Sequence, residues 1–210
     1  MDPDALARDL AEYYDREAMA RALRPIQPER IERRRAFIER LLHEGRSHLV
    51  EVGTGPGIDA LPFIEARMSV AGVDLSDEHV RLARTVGVDA YRASVLALPF
   101  ADASFDAGWT MSTLLHVPNE HCDDALREIG RVLADGAPLA VGLWGSGTEH
   151  NVEALMEADT IEPKRFFSRR SDANLRAMLS ILGDIESFET WNTGEGTWTY
   201  QFAIVRRRAR

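Results

Sequence analysis

Three glycines at alternate positions, Gly53, Gly55 and Gly57, follow the apolar run His48–Val52, which carries one acid, Glu51. Glycine suits a tight strand-to-helix turn and lets a ligand lie directly against the backbone. The spacing is G-x-G-x-G, with Ile58 where the dinucleotide fingerprint would continue towards a third glycine. Glu51 suits a cationic or donor group and would repel a pyrophosphate. A second apolar run, Val70–Asp74, ends in a carboxylate placed to accept both hydroxyls of a ribose. Glycine turn and acid together fit an adenosine-bearing ligand, nucleotide or nucleoside; the turn alone also serves a ligand-free strand–helix junction.

The elements that must position these residues follow from periodicity. Apolar runs at His48–Val52, Val70–Asp74, Asp89–Arg92, Ser104–Trp109 and Pro138–Leu143 alternate with amphipathic stretches, the pattern of a parallel sheet covered by helices. Asp77–Val86 and Glu120–Ala134 are predicted helices, the second capped by Asn119 and ended by Asp135-Gly136. A helix at Asp172–Leu182 precedes two β-rich runs, Ile185–Trp191 and Thr197–Val205, joined through Asn192–Gly196. So short a connection makes them antiparallel neighbours. Residues 1–46 read as two helices separated by Pro25 and Pro28, with stripes Leu6, Leu10, Tyr13, Tyr14 and Ile31, Ile38, Leu41, Leu42. They are expected to form a cap over the open edge of the sheet, within one domain. Arg206–Arg210 reads as a solvated basic tail.

Composition bounds the partners. The 210 residues are 45% hydrophobic and 28% charged, with one cysteine and a formal net charge of −9. A disulfide framework and a cysteine-based zinc site are excluded, no metal is expected, and Cys122 reads as a packing residue. The acidic balance argues against nucleic-acid binding, and no apolar run is long enough for a membrane span. A cytoplasmic protein is expected, and the alanine- and arginine-rich composition suits a GC-rich bacterial genome.

Six blocks in order, Glu51–Gly57, Gly72–Ser76, Leu98–Phe100, Ser104–Ala107, His116–Pro118 and Glu128–Leu133, resemble the class I S-adenosylmethionine-dependent methyltransferases. The resemblance is to the small-molecule branch, similar to the ubiquinone-biosynthesis enzymes, and it is strong over residues 47–143. It implies an α/β, Rossmann-like sandwich with a mostly parallel seven-stranded sheet, a C-terminal antiparallel hairpin and an N-terminal helical cap (1–46) on the methyltransferase domain (47–210). The implied cofactor is S-adenosylmethionine. Gly53, Thr54, Gly55 and Gly57 would underlie its methionine and ribose portions, Glu51 its aminoacyl group, and Asp74 its ribose hydroxyls. Leu75 and His79 would flank the adenine, and Trp109 or Thr110 would meet the methionine portion. Ser94, beside Val95, stands where the family usually has an acid for the adenine amino group, a substitution that weakens one hydrogen bond. His79 read without the resemblance is a solvent-facing helix histidine.

The implied activity is transfer of methyl to oxygen or nitrogen of a small metabolite by in-line displacement. Positioning supplies most of the rate in such a step, and a base is needed only when the acceptor arrives protonated. His116 is the first candidate base, ahead of His150. Met111, Leu115, Trp144, Phe166 and Phe167 are candidate substrate contacts, and 144–170 a candidate lid. The bland alternatives are core packing for the apolar residues and solvation for Lys164, Arg165, Arg169 and Arg170. Arg33–Arg35 read as a solvated face from which one arginine could reach the cofactor's carboxylate. The competing functions are a nicotinamide-dependent oxidoreductase, disfavoured by the glycine spacing, Glu51 and the final hairpin, and a non-catalytic S-adenosylmethionine-binding protein.

Overall fold

A computed structural model describes residues 2–194 and 198–209. Nine strands and six α-helices follow in order: α1 (Pro3–Ala22), α2 (Pro28–His43), β1 (His48–Val52), α3 (Ala60–Glu65), β2 (Ser69–Asp74), α4 (Asp77–Thr85), β3 (Asp89–Arg92), β4 (Ala107–Met111), α5 (Asn119–Val132), β5 (Pro138–Gly145), β6 (Val152–Leu155), β7 (Phe166–Arg169), α6 (Asp172–Leu179), β8 (Gly183–Asn192) and β9 (Thr199–Arg207) among the described residues. Seven strands form one sheet in the order β3-β2-β1-β4-β5-β9-β8. The first five are parallel, and β9 runs antiparallel to both β5 and β8. The connection Asn192–Gly196 and the start of the last run at Thr197 lie partly outside the described residues.

Alternation along the strands builds two cores. Val50, Val52, Leu139, Val141 and Leu143 point to one face and pack with Leu126 and Ile129 of α5 and Leu175 and Leu179 of α6. Leu49, Ala107, Trp109 and Ala140 point to the other, against Phe37 and Leu41 of α2, Phe63 of α3 and Val80 and Ala83 of α4. Burial on both faces is what a parallel sheet requires.

Several boundaries and roles differ from expectation. The fourth strand begins at Ala107 because Asp106 turns back to accept the backbone N–H groups of Ser47 and His48. Asn119 is the first residue of α5 rather than its cap, and its amide oxygen instead accepts from Arg170 Nε at 2.9 Å. In α2 the buried face carries Arg34, Phe37 and Leu41, leaving Ile31 and Leu42 exposed. That helix therefore covers a sheet face rather than capping an edge, while α1 lies over the carboxyl ends of the strands. Arg206 and Arg207 are not tail residues: Arg206 pairs with Glu44 and Glu186, and Arg207 is buried and donates to the Gly130 carbonyl. Arg210 lies outside the described residues. The stretch expected to be irregular holds the hairpin β6–β7, paired antiparallel from Val152–Arg169 to Leu155–Phe166. No helix among the described residues is long and apolar enough to cross a membrane.

Candidate active site at the carboxyl ends of the strands

A cavity of about 870 Å³ opens where β1, β2 and β4 end, roofed by α1 and by the β6–β7 hairpin. Ligands of open α/β sheets bind at this end of the strands. The volume is near the upper part of the range for small-molecule sites, about 300–1,000 Å³.

The glycine loop forms one wall. Gly53 and Thr54 donate their N–H groups to the Val73 carbonyl at 2.8 and 2.9 Å, tying the loop to β2. Gly53 has φ of 75°, and a Cβ there would lie 1.9 Å from Thr113 Oγ1. Gly55 faces open cavity, with no atom within 4 Å of a built Cβ, and its N–H donates to Asp74 Oδ2 at 2.8 Å. Gly57 serves packing instead: a Cβ would strike Val86 and the Ala83 backbone of α4, and it does not line the cavity.

Asp74 ends β2 facing the cavity. Its Oδ1 accepts from Ser76 N at 3.0 Å and from His79 Nδ1 at 3.3 Å. Burial by itself raises the carboxyl's pKa, but the His79 contact and the Ser76 and Gly55 N–H groups outweigh it and hold it below the usual range. Oδ2 keeps one acceptor direction free beyond the Gly55 bond. His79 is 2% exposed, so it is not the solvent-facing histidine of the alternative reading, and its Nε2 has no partner. Leu75, Ser94 and Val95 line the same end; Ser94 Oγ accepts from Leu96 N at 3.2 Å.

Three further expected cofactor contacts sit elsewhere. Glu51 is buried beneath the loop, where it accepts from Thr54 Oγ1 at 2.7 Å and does not reach the cavity. Burial, then repulsion from Asp59, pushes its pKa well above the carboxylate range. Trp109 sits deeper in β4, on the sheet face covered by α2 and α3, among Phe37 and Phe63, with Nε1 donating to Asp59 Oδ2 at 3.2 Å. Thr110 is buried, with Oγ1 unpartnered, and does not line the cavity.

The sequence reading missed the charge network behind the loop. Asp59, 3% exposed, accepts from Arg34 Nη1 at 2.6 Å and from Arg30 Nε at 2.7 Å. Arg34 is therefore not solvated, while Arg33 pairs with Glu189 and Arg35 stays exposed. Arg30 and Asp59 line the cavity. Their one visible signal was the four-residue spacing that puts Arg30 and Arg34 on one helical face.

At the opposite end the cavity is aromatic. Met111, Leu115, Trp144 and Phe167 line it, joined by Trp198 and Tyr200, which packs against Trp144 at 5.8 Å between centroids. Phe166 does not line it, but its carbonyl accepts from His116 Nδ1 at 2.9 Å. A carbonyl can only accept, so Nδ1 carries the proton and Nε2 the lone pair. That lone pair is taken by the Tyr14 hydroxyl at 2.9 Å. Burial, with Arg165 and Arg21 adding repulsion, lowers the His116 pKa to about 3. Arg165 stands over the Tyr13 and Phe167 rings, its charge matched by Asp159 at 2.9 Å. Arg170 is fully buried, donating to the Leu114 and Val117 carbonyls, and Arg169 stacks over Trp198 at 4.4 Å. His150 is exposed and away from the cavity, and Cys122 is buried in the α5 core.

Comparison with known proteins agrees with this layout. A family model described as a methyltransferase domain matches residues 49–136. An O-methyltransferase of Aspergillus sclerotiorum, resE, is 31% identical over 111 residues, 49% of this chain and 41% of that protein. The 27-O-demethylrifamycin SV methyltransferase of Amycolatopsis mediterranei is 32% identical over 106 residues, 45% of this chain and 37% of its own. The chain thus spans less than half the length of these curated relatives. Among solved structures, the Burkholderia thailandensis 1,6-didemethyltoxoflavin-N1-methyltransferase, with 1,6-didemethyltoxoflavin and S-adenosylhomocysteine bound, superimposes with a TM-score of 0.76 at 18% identity, covering 100% of this chain and 92% of that one. At that identity the likeness is one of fold.

Proposed function

We propose, from the match of residues 49–136 to a methyltransferase domain, that this protein transfers methyl from S-adenosylmethionine to oxygen or nitrogen of a small metabolite. The observation that carries the reading is one cavity with two unlike ends. At the first, the open surface at Gly55, the spare acceptor direction of Asp74 and the unpartnered Nε2 of His79 suit a nucleoside. At the second, Trp144, Phe167, Trp198 and Tyr200 suit a planar apolar body.

Asp74 would hold the ribose, Leu75, His79, Ser94 and Val95 the adenine, and Gly53, Thr54 and Gly55 the methionine portion. Arg30 takes the role expected of one of Arg33–Arg35, meeting the carboxylate. When bound, the sulfonium supplies an activated methyl group and a neutral thioether leaving group. The chain's part is orientation, which can contribute roughly 7–11 kcal/mol. Met111 and Leu115 shape the acceptor side, and α1 with the hairpin at 144–170 excludes water. His116 positions Tyr14 rather than presenting a free basic nitrogen. The acceptor is a small molecule, and the cytoplasmic, bacterial setting suggested by composition stays part of this reading.

Calorimetric titration with S-adenosylhomocysteine, beside NAD(H) and NADP(H), tests the proposal. Binding of the homocysteine compound alone is expected. Binding of a nicotinamide nucleotide alone, or of none by folded protein, would overturn it.

A further inference from the structure

Among the described residues, every carboxylate lining the cavity already has donors. Asp59 holds Arg30 and Arg34, Asp74 accepts from Gly55, Ser76 and His79, and Asp159 holds Arg165. The one histidine at the acceptor end has its lone pair capped by Tyr14 and its other nitrogen committed to Phe166. Among the described residues, no group at that end is free to take a proton from an entering hydroxyl. An acceptor that must lose a proton therefore has to arrive without it.

The cations are distributed the other way. Arg24 pairs with Glu17, Arg30 with Asp59 and Arg165 with Asp159. Arg21, also on the cavity wall, has no ion pair among the described residues. Its guanidinium lies 5.6 Å from the Tyr14 ring centroid, and its field reaches both His116 and Tyr200. The Tyr14 hydroxyl is spent on His116, so Tyr14 contributes its ring as a platform that holds Arg21 over the cavity. Trp144, Phe167, Trp198 and Tyr200 line the same cavity.

We propose that Arg21 is the specificity-determining residue of the acceptor subsite, and that the acceptor is an ionised phenol or enol on a planar ring. The ring lies against the aromatic wall and the oxyanion on the guanidinium. The acceptor's proton goes to solvent on ionisation, before transfer. The oxyanion then forms the O–C bond with its own electron pair while the C–S pair stays on sulfur, so opposite charges cancel and no proton leaves in that step. This rests on the methyltransferase reading above, and narrows its acceptor atom to oxygen.

The test uses 4-nitrophenol, whose phenolate is visible by absorbance, titrated into protein saturated with S-adenosylhomocysteine across the probe's ionisation range. The bound probe's apparent pKa is expected to fall by about one unit, a tenfold preference for the phenolate. Arg21→Met should abolish that shift while leaving S-adenosylhomocysteine affinity within about twofold, and Arg35→Met, at an exposed position, should change neither. Probe binding with no preference for the phenolate, or no probe binding by the loaded wild type, overturns the inference. So does loss of S-adenosylhomocysteine affinity in Arg21→Met, which would give Arg21 to the cofactor's carboxylate. Failure of the wild type to bind S-adenosylhomocysteine would instead overturn the methyltransferase reading itself.

Discussion

Asp59→Asn strikes the network beneath the glycine loop. The native carboxylate is 3% exposed and takes hydrogen bonds from Arg34 at 2.6 Å, Arg30 at 2.7 Å and Trp109 at 3.2 Å. An asparagine retains one acceptor oxygen but turns an NH2 group towards a guanidinium, leaving Arg34 buried without a counter-charge. Breaking such a pair costs about 3–5 kcal/mol. Arg30, with a side chain 28% exposed, is partly solvated and loses less, so the lower end applies, about 3 kcal/mol. For a chain of this size that lowers the melting temperature by about 6–12 °C. Urea denaturation followed by circular dichroism reads the loss directly. Adding Arg34→Met removes the orphaned cation and should recover about 1–2 kcal/mol, a coupling a double-mutant cycle measures. A loss below about 1 kcal/mol from Asp59→Asn would rank the network with exposed ion pairs and refute the reasoning.

The same geometry makes further predictions. Gly53→Ala places a methyl 1.9 Å from Thr113 Oγ1 at a φ of 75°, so unfolding free energy should drop by at least about 2 kcal/mol. An unchanged urea midpoint would mean the loop is elsewhere. Asp74→Asn should weaken S-adenosylhomocysteine binding at least tenfold, about 1.4 kcal/mol, in calorimetric titration; unchanged affinity removes Asp74 from the site. Glu51 holds its proton more tightly folded than unfolded, because burial and Asp59 disfavour its charge. That contribution is full below the ordinary carboxylate pKa and is lost as pH rises through the raised folded value. Glu51→Gln stays neutral throughout, so its stability relative to wild type should grow over that interval. A pH-independent difference would give Glu51 an ordinary pKa.

What could be read in the sequence was what the chain settles locally. His48–Val52 and Asp89–Arg92 match their strands residue for residue, because four or five apolar-rich residues between turn formers have few other uses. The short link after β8 forced an antiparallel return, and the acid ending β2 announced a cavity-facing carboxylate. The hairpin β6–β7 was hidden because the four residues Val152–Leu155 are all exposed, so no buried face marks the strand.

Which side chains meet was a different matter. Trp109 and Met111 share one face of β4, yet Trp109 packs into the core while Met111, at the carboxyl end of the strand, reaches the cavity. Glu51 looked ligand-facing until Asp59, Arg30 and Arg34 arrived from two other elements to enclose it. His116 looked like a base until Tyr14, 102 positions away, capped its lone pair. Local propensity and periodicity are properties of neighbouring residues, and they determined the sheet, its order of elements and the end of the strands where the cavity opens. Charge pairing, proton position and burial depend on groups remote in the chain, so only the tertiary structure decided which residues are free to act.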